Sequence, residues 1–203
     1  MLLCMPAAAA LIALSVPIVR VLFERGAFTP TATVETAAAL TAFAAGIPAF
    51  VLIRVLQPGY FAREDTLTPT IFAAISMVVN VALSLLLFPS LQHTGIAAAT
   101  SVAAWGNALM LGLVLYRRGH LRPSRSDAVR HGLILAISLG MAAILLVLHW
   151  PIADVFAPGA PFAMQALALL GLCIAGLLAY FGAVHVTGVQ PLGMLLRRLR
   201  RGG

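Results

Sequence analysis

Charged residues are scarce in this chain of 203 residues, and one basic residue type is missing. Only 9% of the residues are charged, 62% are hydrophobic, and all 13 basic residues are arginine because there is no lysine. A soluble domain carries about 25% charged residues, which cover its water-facing surface. The shortage of charge therefore excludes an ordinary soluble domain, and the many aliphatic residues exclude a disordered chain. The mean hydropathy of +1.03 is typical of an integral membrane protein.

Residues that carry chemistry are also few. The two cysteines, Cys4 and Cys173, lie within apolar runs, and no spacing of cysteine and histidine suits zinc. No phosphate-binding, zinc-protease or nucleophile-elbow motif is present. We therefore expect neither an enzyme nor a metal or other cofactor, although an intramembrane enzyme that depends on Glu35 or His131 is an alternative. The net charge of +7 comes from arginines between apolar runs, so we expect no nucleic-acid partner.

Six apolar runs dominate the chain, each of about the 20 residues that a membrane-spanning helix needs. They cover residues 2–22, 31–56, 69–88, 95–116, 128–148 and 162–186, and an arginine-rich tail follows at residues 187–203. This pattern predicts an all-α polytopic transmembrane helix bundle of about six spans.

The arginines predict the orientation of the bundle. If the N-terminus is cytoplasmic, eleven of the 13 arginines fall in cytoplasmic segments, and only Arg20 and Arg25 fall outside. Cytoplasmic segments of membrane proteins carry an excess of basic residues. We therefore expect both termini, including the basic tail, to be cytoplasmic.

Two arginines flank the end of the second run, which is the most polar of the six. Arg54 lies within this run and Arg63 in the loop that follows. A guanidinium group binds phosphate well, so both are candidates for contact with an anionic substrate. The alternative interpretations are that Arg54 reaches lipid headgroups and that Arg63 pairs with Asp65.

Polar side chains recur within the third and fourth runs. Ser76, Asn80 and Ser84 are spaced by four residues and share one helix face. Thr100 and Asn107 lie in the next run, which a short loop makes an antiparallel neighbour. Hydrogen bonding between helices and an ion or substrate site are both compatible with this pattern.

Two loop motifs resemble a known family. Residues 21–29 read VLFERGAFT, and residues 55–69 read VLQPGYFAREDTLTP. In sequence and order they are similar to two signatures of the MurJ (MviN) family of bacterial lipid II flippases, within the multidrug/oligosaccharidyl-lipid/polysaccharide exporter superfamily. The resemblance covers nearly the whole chain, but it matches only the last six of the family's fourteen helices. We therefore expect this sequence to be part of a longer protein.

The resemblance implies transport of lipid II, the undecaprenyl-pyrophosphate-linked peptidoglycan precursor, across the bacterial inner membrane by alternating access. In the family, the last two helices form a groove thought to hold the lipid tail. The sodium ion of some members would match Asn80, Ser84 and Thr100 with a carbonyl near Ile96, although Ser84 replaces an acidic residue. The expected partners are lipid II, membrane lipids, and the missing N-terminal lobe or a second copy. A flippase for another polyprenyl-linked saccharide, or a non-transporting fragment, is the alternative.

Overall fold

Helices make up the regular structure of the chain in the computed structural model, which describes residues 1–26, 28–121, 124–157 and 159–187. In chain order the elements are α1 (Cys4–Ala13), α2 (Ser15–Phe23), α3 (Pro30–Phe61), α4 (Leu67–Arg117), α5 (Arg125–His149), a 3₁₀ helix (Trp150–Phe156) and α6 (Phe162–Val186). Helices α3, α4, α5 and α6 are long and apolar enough to cross a membrane. The all-α membrane bundle predicted from the sequence is therefore confirmed.

The first apolar run is divided into two helices. α1 and α2 meet at an angle of 75°, and the backbone leaves the helical region at the buried Leu14 (φ −112°, ψ 20°). Pro17 lacks the amide hydrogen that would bond to the carbonyl of Ala13, so the continuous helical ladder is interrupted just here. α1 and α2 together make one bent segment of membrane-crossing length.

α4 folds back on itself. Its backbone has non-helical angles at Gln92 (φ 47°, ψ −127°), shortly after Pro89. Residues on the two sides of this break are in contact: Ser76 Oγ donates to the carbonyl oxygen of Ala103 at 2.8 Å, although 27 residues separate them. We call residues 67–91 α4a and residues 93–117 α4b. Each is about 37 Å long, so α4 is an antiparallel hairpin of which each arm is long enough to cross a membrane.

Close approach at the hairpin tip requires glycine at one position. A Cβ atom on Gly95 would lie 2.8 Å from the carbonyl oxygen of Leu87, a contact that real Cβ atoms do not make. The hairpin tip belongs to the end of the bundle that also holds residues 24–26 and 28–29, which we call end A. The opposite end, with loop 62–66 and the C-terminus of α4b, is end B.

α3 lies at the centre of the bundle and contacts α1, α2 and α4. α5 packs against α1 and α6, and Leu14, Leu145, Phe156 and Tyr180 belong to the main buried cluster of that half. α3 and α4b form the other half, where small residues such as Ala49 allow close packing. Three side chains donate to a carbonyl oxygen across this second interface: Ser101 to Ala42, Trp105 to Ala45 and Tyr60 to Leu111.

Candidate functional site

An apolar groove of about 430 Å³ runs between α1, α5 and α6. The lining residues include Leu11 of α1, Leu14 at the break after it, Met141 and Leu145 of α5, and Leu177 of α6. The groove admits hydrocarbon and offers no polar side chain to orient a soluble ligand, apart from the tyrosine at one end. It lies where the family resemblance implies a site for a lipid tail, with α1 as an additional wall that the sequence did not reveal.

Hydrogen bonds close both ends of the groove. At end B, the hydroxyl of Tyr180 donates to the carbonyl oxygen of Leu2, which joins α6 to the beginning of the chain. At end A, Arg20 donates to the carbonyl oxygen of Phe156 and to Glu24. These contacts tie α6 to the segment before α1 at end B and the 3₁₀ helix to α2 at end A.

Glu24 is the acceptor that joins α2 to α3 at end A. Its carboxylate accepts from Arg20 Nε at 2.9 Å and from Thr33 Oγ1 at 2.6 Å. Burial alone would raise the pKa of Glu24, but the hydrogen bonds from Thr33 and Arg20 outweigh burial and lower the pKa below its ordinary value. Glu24 is therefore ionised at neutral pH and joins Arg20 of α2 to Thr33 of α3.

Arg25 extends this network to α6. Its guanidinium carbon lies 3.7 Å from the centroid of the Phe162 ring, within the range of a cation–π interaction. A second contact is the donation from Arg25 to the carbonyl oxygen of Val21 at 2.8 Å. The charged residues of the 21–29 motif are thus engaged in structural contacts at end A.

The three residues predicted as an ion site lie together between α4a and α4b. Asn80 Oδ1 accepts from Ser84 Oγ at 3.3 Å and from Thr100 Oγ1 at 3.4 Å. Thr100 also donates to the carbonyl oxygen of Ile96 at 2.9 Å. Amide, hydroxyl and carbonyl oxygens suit a hard cation. Within the described residues, no group of three histidine, cysteine or acidic side chains is placed to hold a metal ion.

Arg54 and Arg63 lie apart from these contacts. Arg54 is exposed on α3, about 10 Å before the helix ends at Phe61, and it makes no hydrogen bond or salt bridge with another described residue. Arg63 is also exposed and donates to the carbonyl oxygen of Gly59 at 2.7 Å. No described hydrogen bond joins these two arginines in one site.

Asp65 pairs with a residue that the sequence did not suggest. Arg118 Nη1 lies 2.6 Å from Asp65 Oδ2, so the alternative interpretation that Arg63 pairs with Asp65 is wrong. The Asp65 carboxylate also accepts from the backbone N–H of Thr68 at 3.0 Å and from its hydroxyl at 2.8 Å. The backbone hydrogen bond, followed by the bond from Arg118, lowers the pKa of Asp65 to about 2.

Asp65 pairs with Arg118 because the fold brings these two residues together at end B. The spacing Asp65-x-x-Thr68 is a helix-capping pattern that the sequence does contain. Arg118 is 53 residues away along the chain, and only the return of α4b to end B brings it to Asp65. The ion pair therefore depends on tertiary packing and not on the local sequence.

Comparison with known proteins agrees with the motifs. The family model for the lipid II flippase MurJ matches residues 1–164. A probable lipid II flippase MurJ from Rhizobium meliloti (strain 1021) is 46% identical over 201 residues, which is 98% of this chain and 37% of the relative. A probable lipid II flippase MurJ from Rhizobium tropici is 42% identical over 98% of this chain and 37% of its own length.

A third relative, the lipid II flippase MurJ of Burkholderia cenocepacia, is 30% identical over 93% of this chain and 36% of its own length. The chain thus spans less than two fifths of the length of these curated relatives. Because the family model covers most of the chain and the identity to these relatives extends along nearly all of it, this chain belongs to the lipid II flippase MurJ family.

Proposed function

We propose that this chain is the C-terminal part of a lipid II flippase, which moves the undecaprenyl-pyrophosphate-linked peptidoglycan precursor across the bacterial inner membrane. The observation that carries the proposal is the 46% identity over 98% of the chain to a relative named as a probable lipid II flippase. The mechanism is alternating access, in which two lobes rock about the substrate and no covalent bond changes. The chain contributes residues 1–186 as a six-helix lobe and residues 187–203 as a basic tail, which lies outside the described residues.

The lobe is oriented with end B in the cytoplasm. Arg63, Arg117, Arg118 and Arg125 belong to this end, whereas end A carries Arg20 and Arg25, which are engaged by structural contacts. The positive-inside rule supports this orientation. Both termini are then cytoplasmic, and the chain is a multi-pass protein of the inner membrane surrounded by its lipids.

The polyprenyl tail of the substrate lies in the groove between α1, α5 and α6. The apolar lining of this groove supports the assignment, because a tail that leaves the bilayer for the protein needs an equally apolar surface. The hydrogen bonds of Arg20 and Tyr180 at its two ends fix the walls of the groove to the rest of the lobe. The tail can therefore remain in an apolar environment while the headgroup crosses.

Arg54 and Arg63 contact the anionic part of the substrate or the gate that admits it. The exposure of Arg54 and its lack of a described protein partner support this role. An arginine about 10 Å inside the end of a membrane helix favours an anionic partner, since an unpaired charge is costly at that depth. The pyrophosphate of lipid II has the charge and geometry for a bidentate contact.

Asn80, Ser84 and Thr100 form part of a site for a monovalent cation that couples to transport. Their neutral oxygen atoms converge between α4a and α4b. Ser84 supplies a hydroxyl where an acidic ligand is expected from the resemblance, so a carboxylate from another part of the transporter completes the site. The remaining part of a longer protein, or a second copy of this chain, supplies the other lobe.

Rescue of flippase-depleted cells tests this proposal. The chain is expressed alone, and as a fusion in which it replaces the matching part of the Rhizobium meliloti relative. We expect growth from the fusion and not from the chain alone, because one lobe does not enclose a cavity. Arg54→Ala in the fusion is expected to reduce rescue, whereas Arg130→Ala, in the first turns of α5, serves as a matched control.

Failure of a stably inserted fusion to support growth would contradict the proposal. Binding of the purified fusion to lipid II and to other polyprenyl-linked saccharides then separates the alternatives. Preference for another headgroup would assign a different flippase, and no binding would indicate a non-transporting fragment.

A further inference from the structure

Polar groups continue along the α4a–α4b interface beyond Asn80 and Thr100. Ser76 lies one helical turn from Asn80 towards end B and donates to the carbonyl oxygen of Ala103 at 2.8 Å. Asn107 lies two turns from Thr100 on the same face of α4b. The interface therefore has polar groups at successive levels from the middle of the membrane towards end B.

Asn107 is an unusual member of this series. Its side chain is buried, with 8% of the residue exposed, and its Oδ1 atom has no hydrogen-bond partner among the described residues. A buried carbonyl-type oxygen without a donor is unfavourable in an apolar interior. Such an oxygen is stabilised when a cation binds to it or a water molecule donates a hydrogen bond to it.

An apolar cluster lies between Asn107 and end B, where α3 meets both arms of the hairpin. Tyr60 of α3 and Leu111 and Leu115 of α4b are buried there, with 1%, 1% and 6% of each residue exposed, and Phe72 of α4a packs against them. We call these four residues the plug. Outside the plug, the ion pair of Asp65 and Arg118 joins the beginning of α4a to the end of α4b. The two arms of the hairpin are thus held together at end B, which faces the cytoplasm in the proposed orientation.

We propose that the α4a–α4b interface is a path for a monovalent cation between end B and the Asn80 cluster, with Asn107 as a ligand on the path and the Asp65–Arg118 pair as its gate. In the closed state Arg118 forms a salt bridge with the carboxylate of Asp65, and the plug excludes water. When the pair separates, Asp65 becomes an acidic mouth that attracts a cation. The proposal rests on the proposed function for the role of the Asn80 cluster as an ion site.

The chemistry of the path favours a monovalent cation. Its groups are the amides of Asn80 and Asn107, the hydroxyls of Ser76 and Thr100, and backbone carbonyl groups, all of which are uncharged. Neutral oxygens bind alkali cations without the carboxylates that a divalent cation needs to balance its charge. An anion would meet only the oxygen atoms of these groups and, at the mouth, the carboxylate of Asp65.

Cysteine accessibility tests the path without requiring transport. Cys4 and Cys173 are replaced by serine, Asn107→Cys is introduced into the full chain, and inside-out membrane vesicles are treated with cationic or anionic methanethiosulfonate reagents. We expect Cys at this position to react slowly while the gate is intact. Arg118→Gln removes the ion pair and leaves the Asp65 carboxylate at the mouth, so the cationic reagent is expected to react roughly tenfold faster, which corresponds to about 1.4 kcal/mol.

Controls separate gating from general loosening of the fold. Asp65→Asn keeps a side chain that can cap Thr68 and also breaks the pair, so labelling should again be faster than with the intact gate, but with less preference for the cationic reagent. Arg118→Lys retains the pair and should leave the rate low. Leu109→Cys, on the exposed surface of α4b with 66% of the native residue exposed, should react at a rate that the gate variants do not alter. Replacement of sodium by a bulky organic cation should increase labelling of Asn107→Cys.

Equal rates with intact and broken gate, or equal rates for cationic and anionic reagents, would overturn the path. These rates do not depend on rescue of growth. The path therefore stands or fails independently of the flippase assignment, and failure of rescue with gated labelling would leave a cation path in a protein of another function.

Discussion

Gly46→Ala is expected to destabilise the chain, because α3 and α4b leave no space for a methyl group at this position. The added Cβ atom would lie 2.5 Å from Ser101 Oγ and 3.1 Å from the Cα and Cβ atoms of Ser101. Rotation of the Ser101 side chain relieves the first contact only, since the other two involve atoms fixed by the backbone. α3 and α4b must therefore move apart.

The magnitude follows from three contributions. Overpacking of a close-packed interface costs about 1–3 kcal/mol, and loss of the hydrogen bond from Ser101 to Ala42 costs about 0.6 kcal/mol or more in a membrane protein. Alanine has a higher helix propensity than glycine, which offsets about 1 kcal/mol of this destabilisation. The net loss is about 1–2 kcal/mol, which lowers the Tm by roughly 2–8 °C for a chain of this length.

Thermal unfolding in detergent micelles, followed by circular dichroism, measures this loss. Gly106→Ala is the matched control, because a Cβ atom at Gly106 meets nothing within 4 Å, and its Tm should stay constant or rise. Ser101→Ala in the Gly46→Ala background removes the oxygen conflict and should recover part of the loss. The reasoning is refuted if Gly46→Ala is as stable as Gly106→Ala.

Three further predictions concern single contacts. Because folding lowers the pKa of Asp65 to about 2, its contribution to stability is fully present above the unfolded pKa and is lost as the pH falls from that pKa through about 2. Asp65→Asn should lower the Tm at neutral pH and remove this acid-dependent loss in a series of thermal scans. The pKa of Glu24 is shifted in the same direction, so Glu24→Gln should also lower the Tm at neutral pH and weaken its fall in acid. Ser76→Ala loses the bond to the Ala103 carbonyl and should cost about 0.6 kcal/mol in a chemical denaturation series, whereas Ser90→Ala at the exposed hairpin tip should cost nothing measurable.

The apolar runs and the spacing of polar residues predicted the long helices and the proximity of Asn80 to Thr100. The loop that begins at Pro89 separates two runs, and the structure reverses direction there. Because Ser76, Asn80 and Ser84 share a face and the loop is short, the hairpin brings this face to Thr100. Local periodicity and one tight turn were sufficient for this part of the fold.

Contacts that depend on distant packing were not predicted. Asp65 was assigned a neighbour in sequence, Arg63, but Arg63 bonds to the carbonyl of Gly59 and Asp65 to Arg118. The bend at Leu14 was also missed, since an apolar run reads alike whether its helix is straight or broken. In a membrane protein the hydrophobic pattern does not separate lipid-facing from helix-facing residues, so the groove walls could not be found from sequence.

Joined to the rest of a flippase, this lobe is proposed to move lipid II across the membrane. The most direct measurement is the fraction of lipid II in the outer leaflet, read as the amount that an added lipid II-cleaving enzyme degrades in intact flippase-depleted cells. With the fusion described above, we predict that this fraction returns to that of cells with their own flippase. A fusion that inserts stably and leaves lipid II protected from the enzyme would contradict the account.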